Sequence, residues 1–169
     1  YEENIQEHSL QVVIVAHGLA VIRNTHFGGT INADRVAVLA AYHEAGEVFT
    51  GDLPTPIKYF NPEIKQAYVA IEDFAKERLR GMLPAALQSS YQPLLFPDPA
   101  EQELWRVVKA ADKICAYLKC VEELKTGNQE FAKAERAIRK ELDQLALPEV
   151  AFFMETFAPS FGLALDGLN

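Results

Sequence analysis

The sequence predicts an all-α fold, a single bundle of six or more helices. Apolar side chains recur at helical spacing through most of the chain. Glycine, proline and asparagine residues that commonly begin or end helices separate these apolar segments. No segment alternates apolar and polar residues between turns, as a half-buried strand would. With 169 residues, 49% of them hydrophobic, the chain can bury one core, so we expect one domain over 1–169.

Three helices are predicted in the first part of the chain. An apolar stripe predicts a first helix over 7–24, which a Phe-Gly-Gly stretch then ends. Asn32 is a suitable N-cap for a second helix that runs towards Glu47. Glycine and proline residues predict a loop over 49–59. Asn61 and the proline after it then begin a third helix that reaches about residue 79.

The second part begins with a short turn near 85–88 and continues with three more predicted helices. A long one starts at the Asp-Pro pair of 98–99 and ends near Gly127. A charged and outward-facing helix follows, from Asn128 to about residue 145. The last begins at 148–149, and four of its aromatic side chains are expected to anchor it to the core: Phe152, Phe153, Phe157 and Phe161.

Composition excludes some classes of partner. The net charge of −8 argues against binding to polymeric nucleic acid, which requires clustered lysine and arginine. Cys115 and Cys120 are predicted to be reduced core thiols on different helix faces, which favours a cytoplasmic protein. Uninterrupted apolar runs such as 12–16 are too short to span a bilayer, so no membrane association is expected. Because the chain starts at Tyr1 without a methionine, we expect native N-terminal residues to be missing.

Two histidines and two acids in three separate motifs can form the first shell of one divalent metal: His8, His43, Glu44 and Asp112. Imidazole nitrogens suit transition metals, and carboxylate oxygens also suit magnesium and manganese. The identity of the metal therefore stays open among cobalt, manganese, magnesium and zinc. A metal held this way lowers the pKa of a bound water and neutralises a phosphoryl oxygen, which points to hydrolysis.

Spacing within the second motif supports a shared site but does not require one. On a helix, His43 and Glu47 lie on the same face, with Glu44 beside them. A solvated polar helix end has the same composition, so that alternative stays open. The zinc-protease pattern His-Glu-x-x-His agrees with the first two residues but fails at the fifth, where Glu47 stands. A metallopeptidase is therefore disfavoured.

Asp112 is the acid for which a structural explanation is hardest to find. It lies in the middle of a long apolar helix, where a charge is rarely buried unless it is paired or bound to metal. An ion pair with Lys113 is geometrically unnatural, because adjacent helical residues diverge. The sequence therefore favours a functional role for Asp112.

Taken together, these motifs resemble those of the HD-domain phosphohydrolases, and the chain is similar to the bacterial YfbR-type 5'-deoxynucleotidases. The likeness covers nearly the whole chain, and its most specific part is the Thr-Gly-Asp-Leu-Pro-Thr-Pro loop of 50–56. Other matching segments are Glu7-His8-Ser9-Leu10-Gln11-Val12, Tyr42-His43-Glu44, Lys58-Tyr59-Phe60 and Ala111-Asp112.

This resemblance implies the metal-dependent removal of phosphate from 2'-deoxyribonucleoside 5'-monophosphates. It implies that one divalent metal is bound by His8, His43, Glu44 and Asp112. It implies a general acid/base role for Glu47 on the water or the leaving nucleoside. Homodimers are also implied. The nucleotide is implied to contact the metal-site residues His8, Glu44 and Asp112 and the loop residues Asp52, Leu53, Pro54 and Thr55.

The chain departs from the resembled family at two points. The family has His-Asp where this sequence has His43-Glu44, and the extra methylene moves the carboxylate by about one C–C bond. The family also carries an N-terminal helix with an Arg-Trp pair, which we expect to be missing here. Two alternatives therefore stay open: another HD nucleotide phosphohydrolase, or a noncatalytic nucleotide-binding relative.

Overall fold

The computed structural model describes residues 4–51 and 61–163 of the chain. Within these two ranges the chain forms nine α-helices and two short 3₁₀ helices, without any strand. The prediction of an all-α fold is confirmed. The α-helices, numbered in chain order, are α1 Ile5–His26, α2 Ala33–Tyr42, α3 Glu47–Thr50, α4 Pro62–Met82, α5 Ala85–Leu95, α6 Gln102–Lys125, α7 Ala132–Gln144, α8 Pro148–Thr156 and α9 Ala158–Phe161.

Asparagine side chains begin three of the first four helices, α1, α2 and α4. Asn4 accepts hydrogen bonds from the backbone N–H groups of residues 6 and 7, while Glu7 reaches back to the Asn4 N–H, which completes a capping box. Asn32 accepts from the N–H of Arg35, and Asn61 from that of residue 64. The predicted N-caps at Asn32 and Asn61 are therefore present.

The core lies between α1, α2 and α6. These three long helices pack against one another, and α8 covers another side of α1. Leu19, Leu39 and Ile114, one from each of the three helices, are fully buried at the centre. Because each helix contributes an apolar face to the same core, burial of this surface fixes their relative positions.

Two predicted elements are wrong in length. The second helix ends at Tyr42, and residues 43–46 form a tight turn before α3. The predicted short turn at 85–88 is the start of α5, an eleven-residue helix with Pro93 inside it. Leu94 and Leu95 are buried there, so packing offsets the backbone hydrogen bond that proline cannot donate.

The predicted aromatic anchor of the last helix is only partly correct. Phe153 is 8% exposed and belongs to the core, and Phe152 packs against the core from its edge. Phe157 and Phe161, however, are 44% and 39% exposed. Because α8 ends at Thr156 and α9 begins only at Ala158, the chain changes direction at Phe157, and both later rings point outward in part.

Helix α1 is apolar on more than one side. Val12 and Leu19 face the core with no exposure, whereas Leu10 and Ile14 are more than 60% exposed. By length and composition alone it is long and apolar enough to cross a membrane, although 33% of its most apolar 18-residue span is buried within the protein. Buried core helices also meet these criteria.

Helix α4 lies at the edge of the bundle. It packs against α3 and α5, and Tyr68 and Ala75 are the buried residues among its 21. The Tyr68 hydroxyl donates a hydrogen bond of 3.3 Å to the carbonyl of Gly51. This contact ties the middle of α4 to the end of the segment that carries the second motif.

Candidate metal centre

Three separate elements bring the four predicted metal ligands together. His8 lies in the first turns of α1, His43 and Glu44 lie in the turn after α2, and Asp112 lies in the middle of α6. Each offers one nitrogen or oxygen atom, and these four atoms all lie within 4.8 Å of one another. All four residues are half-buried, so the group sits at the edge of the core rather than on an open surface.

The turn at 43–46 decides how the second motif is presented. The backbone keeps helical dihedral angles at His43 and Gly46, but its hydrogen bonds run from residue i+3 to residue i, for example from the Glu47 N–H to the Glu44 carbonyl at 2.9 Å. A Cβ atom at Gly46 would lie 3.3 Å from the Glu72 carbonyl oxygen on α4. Glycine therefore permits the close approach of this turn to α4.

His43 is oriented by the backbone of the helix that precedes it. Its Nδ1 lies 2.7 Å from the Ala40 carbonyl oxygen. Because a carbonyl can only accept, Nδ1 must carry the proton, and in the neutral ring Nε2 keeps its lone pair. That Nε2 is buried, without a hydrogen-bond partner among the described residues, and lies 3.8 Å from Glu44 and 3.9 Å from Asp112.

His8 faces the same two carboxylates from α1. Its Nε2 lies 3.1 Å from Oδ1 of Asp112 and 3.6 Å from Oε1 of Glu44. The ring centroids of His8 and His43 are 5.7 Å apart. Two imidazoles and two carboxylates thus converge on one point. The Glu44 carboxylate reaches the group despite its extra methylene.

The electrostatics of the group follow from this proximity. Burial alone would raise the pKa of Asp112, but the nearby imidazoles of His43 and His8, the latter within hydrogen-bond distance at 3.1 Å, hold that pKa well below its usual range. Burial lowers the pKa of His43, yet the neighbouring carboxylates Asp112 and Glu44 outweigh it, so the pKa of His43 is raised. The neighbouring carboxylates thus hold the imidazole of His43 towards its protonated form.

These donors fit a divalent ion. The buried and unpartnered Nε2 of His43 is costly to leave unsatisfied, and a metal would satisfy it. Two neutral imidazoles and two carboxylates form a mixed nitrogen and oxygen set of the kind that binds first-row divalent ions. The Ala40 carbonyl, which holds the ring of His43, is the kind of outer partner that metal-binding histidines require.

The other predicted site residues do not belong to the four converging residues. Glu47 is buried, at 6% exposure, and begins α3, but it is not one of the four converging residues. Asp52, Leu53, Pro54 and Thr55 lie outside the described residues. Their predicted contacts with a nucleotide therefore stay predictions.

Sequence reasoning missed the part played by Ala40. An alanine carries no functional side chain, and the contribution comes from its backbone carbonyl. Because α2 ends two residues later, that carbonyl accepts only a long backbone hydrogen bond of 3.4 Å, from the His43 N–H, and its other lone pair can accept from His43 Nδ1. A prediction that α2 stops at Tyr42, instead of continuing to Glu47, would have indicated it.

Solved structures place this fold in a known class. An HD-domain phosphohydrolase from Listeria innocua superposes on 95% of this chain and 78% of its own with a TM-score of 0.83, at 22% sequence identity. At that identity the likeness establishes the fold alone. The fold is that of the HD-domain phosphohydrolases, as the sequence predicted.

Sequence comparisons narrow the class to one family. A family model described as "5'-deoxynucleotidase YfbR-like" matches residues 1–161. A 5'-deoxynucleotidase of Vibrio cholerae is 54% identical over 167 residues, which cover 99% of this chain and 86% of the relative. The 5'-deoxynucleotidase YfbR of Escherichia coli is 51% identical over 167 residues, 99% of this chain and 84% of the relative. The chain belongs to the YfbR-like 5'-deoxynucleotidase family.

Metal binding to this group is expected to release protons. Because the pKa of His43 is raised, lowering the pH increases the protonated fraction that a metal must displace. We expect the apparent affinity for manganese to fall by up to about tenfold per pH unit for each displaced proton. Calorimetric titrations in two buffers of different ionisation enthalpy, at several pH values, count those protons. A manganese affinity that does not change with pH would contradict the prediction that His43 is a metal ligand.

Proposed function

We propose that this chain removes the 5'-phosphate from 2'-deoxyribonucleoside monophosphates in a metal-dependent reaction. The observation that carries this proposal is the convergence of His8, His43, Glu44 and Asp112 within 4.8 Å in a chain of this family. We propose these four as ligands of one divalent ion, whose identity the donor set leaves open. When bound, such an ion supplies Lewis acidity to a phosphoryl oxygen and lowers the pKa of a water molecule.

The side chains divide the remaining work. The Nε2 atoms of His43 and His8 both face the carboxylate of Glu44. Asp112 and Glu44 bring negative charge that compensates for a divalent cation. The proposed role of Glu47 is to take a proton from the attacking water and return it to the leaving 5'-oxygen. Its burial reduces competition from bulk water for that proton.

Nucleotide binding is proposed for residues on both sides of the phosphate. His8, Glu44 and Asp112, which surround the proposed metal position, would also contact the phosphate. Asp52, Leu53, Pro54 and Thr55 would hold the nucleoside, with the Asp52 carboxylate accepting a hydrogen bond from a sugar hydroxyl. These positions follow the motif of the family.

Glu44 supports a catalytic site rather than a degenerate one. Its Oε1 lies 3.6 Å from Nε2 of His8 and 3.8 Å from Nε2 of His43. The carboxylate thus occupies the group although the family motif has aspartate there. We therefore expect Glu44→Asp to keep activity within about tenfold, because the shorter arm requires only a small shift of a half-buried side chain.

A panel of substrates and metals tests the function. We expect phosphate release from dAMP and dCMP to exceed release from AMP when cobalt, manganese, magnesium or zinc is supplied. Activity only on phosphodiesters or polyphosphorylated nucleotides would favour another HD phosphohydrolase instead. If the unmodified chain releases no phosphate but the Glu44→Asp variant does, the result would favour a noncatalytic nucleotide-binding relative. A chain that releases no phosphate from any nucleoside monophosphate would overturn the proposal.

We further propose that the enzyme acts in the cytoplasm and as a homodimer. Two cysteines without a disulfide, Cys115 and Cys120, support a reducing compartment. The exposed apolar side chains of the bundle support association of two copies. Fractionation of cells that express the natural protein, followed by activity measurements, tests the compartment.

A further inference from the structure

One face of α4 is apolar and exposed along most of its length. Ile71, Phe74 and Met82 are 52%, 62% and 73% exposed, and Ile64 is 36% exposed. Large exposed apolar side chains that are grouped on one helix indicate a surface that binds another molecule. Beside them lies a groove of about 630 Å³ between α3 and α4, which Phe49 lines from the α3 side.

Beside the other three of these side chains, a row of residues that includes Phe74 repeats at helical spacing. Glu63, Ala67, Phe74 and Arg78 stand at positions i, i+4, i+11 and i+15, which fall on one side of an α-helix. All four are exposed. We call this set the α4 stripe. It begins with an acid, ends with a base, and carries one small and one large apolar residue between them.

The α4 stripe is complementary to itself when two copies run antiparallel. A two-fold axis between residues 70 and 71 places Glu63 opposite Arg78 of the second copy. The same axis places Ala67 opposite Phe74 of the second copy, so that a large side chain meets a small one. Two-fold symmetry makes each pair occur twice, as an isologous interface requires. A flat apolar face would not specify such a register.

The charges of the stripe are available for these pairs. Within the described part of the chain, neither Glu63 nor Arg78 has an ion-pair partner. The Arg78 guanidinium lies over the Phe74 ring, 5.4 Å from its centroid. Four other charges of α4 form ion pairs along the helix, Lys76 with Asp73 and Arg80 with Glu77. The two unpaired charges are about 22 Å apart along the helix, one at each end of the stripe.

We propose that a second copy of this chain packs antiparallel against α4, with Glu63 of each copy paired to Arg78 of the other and each Phe74 covered by the other copy's Ala67. The apolar groove beside the stripe extends the contact onto α3. This inference rests on the proposed homodimer and specifies its interface. It differs from a dimer formed through the partly exposed Phe157, between α8 and α9, and Phe161, at the end of α9.

Charge reversal tests this interface with an internal rescue. Sedimentation velocity of the unmodified chain should give twice the 18.9 kDa of one copy. Glu63→Arg and Arg78→Glu should each raise the dimer dissociation constant by roughly tenfold or more, because two ion pairs become repulsive contacts. An equimolar mixture of the two variants should form dimers again, since each mixed pair then joins opposite charges. The double variant should also dimerise.

Matched controls separate the interface from net charge. Glu130→Arg and Lys140→Glu make the same changes in net charge at exposed positions elsewhere in the chain and should leave the dimer intact. If a charge variant folds poorly, a second measurement uses Ala70→Cys mixed with Ile71→Cys. These two positions face each other across the proposed two-fold axis, so an intermolecular disulfide should form under oxidising conditions. The native cysteines are buried and should not compete.

A monomeric unmodified chain would overturn the homodimer itself. A dimer indifferent to both reversals would overturn this interface alone and leave the hydrolase proposal unaffected.

Discussion

Asp112→Asn is expected to abolish nearly all activity. The substitution keeps the size of the side chain but removes the charge that His8 and His43 share. Because the pKa of Asp112 is held well below its usual range, the native side chain is ionised at every pH at which the enzyme would work. Asparagine cannot supply that charge, and it offers a metal a much weaker oxygen ligand. We expect kcat/KM to fall by more than the roughly 100-fold typical of losing an outer partner of a metal ligand.

Metal content should fall together with activity in this variant. Isothermal titration with manganese, beside a phosphate-release assay, measures both losses on the same sample. Asp34→Asn is a matched control, because its side chain is 98% exposed on α2 and lies 3.9 Å from His17, far along the helix pair from the four donors. It should leave both quantities unchanged. An Asp112→Asn enzyme that keeps its metal affinity would remove Asp112 from the ligand set.

The sequence was enough to predict which four residues donate to the site. It was not enough to predict how they are arranged in space. Each motif carries a residue type suited to metals, and Asp112 in the middle of an apolar helix was the strongest single indication. Which elements would bring them together depends on the packing of α1, α2 and α6, which no local pattern specifies. The expected helix from Asn32 to Glu47 was therefore too long. Periodicity continues through residues 43–46, whereas the backbone tightens there into a turn.

The orientation of His43 depends on that same turn. A regular helix would have bonded the Ala40 carbonyl to the N–H of Glu44, and the imidazole would have competed for it. In the structure the helix ends at Tyr42, and the carbonyl accepts from the backbone N–H of His43 at 3.4 Å and from its Nδ1 at 2.7 Å. Hydrophobic periodicity does not reveal a local change in hydrogen bonding of this kind. The sequence therefore indicated His43 as a metal ligand but not the Ala40 carbonyl that orients its ring.

The exposed stripe of α4 is a second feature that periodicity alone could not interpret. An amphipathic pattern predicts a helix with one buried face, and α4 has such a pattern. Yet Tyr68 and Ala75 alone are buried among its residues, and Phe74 and Met82 are exposed. Sequence reasoning cannot distinguish a face that meets the chain's own core from a face that meets another copy.

Glu47→Gln is expected to lower kcat strongly while metal binding is retained. Glutamine preserves the size of the buried side chain but can neither accept nor return a proton. If Glu47 transfers the proton between water and the leaving oxygen, kcat should fall by about 10²- to 10⁴-fold. Its metal affinity should stay near that of the unmodified enzyme, because Glu47 is not among the four converging residues. This combination distinguishes it from Asp112→Asn, in which both quantities fall.

The pH profile adds a test that a merely structural role would not satisfy. Loss of a general base or acid should remove one limb of the pH dependence of kcat/KM, whereas a packing defect would lower the whole profile uniformly. Glu122→Gln, the same change at an exposed position on α6, should alter neither the rate nor the profile. A thermal melt of each variant checks that the fold survives. A Glu47→Gln enzyme with normal kcat and an unchanged profile would mean that the proton moves through another group, and among the described residues Glu44 would be the next carboxylate to test.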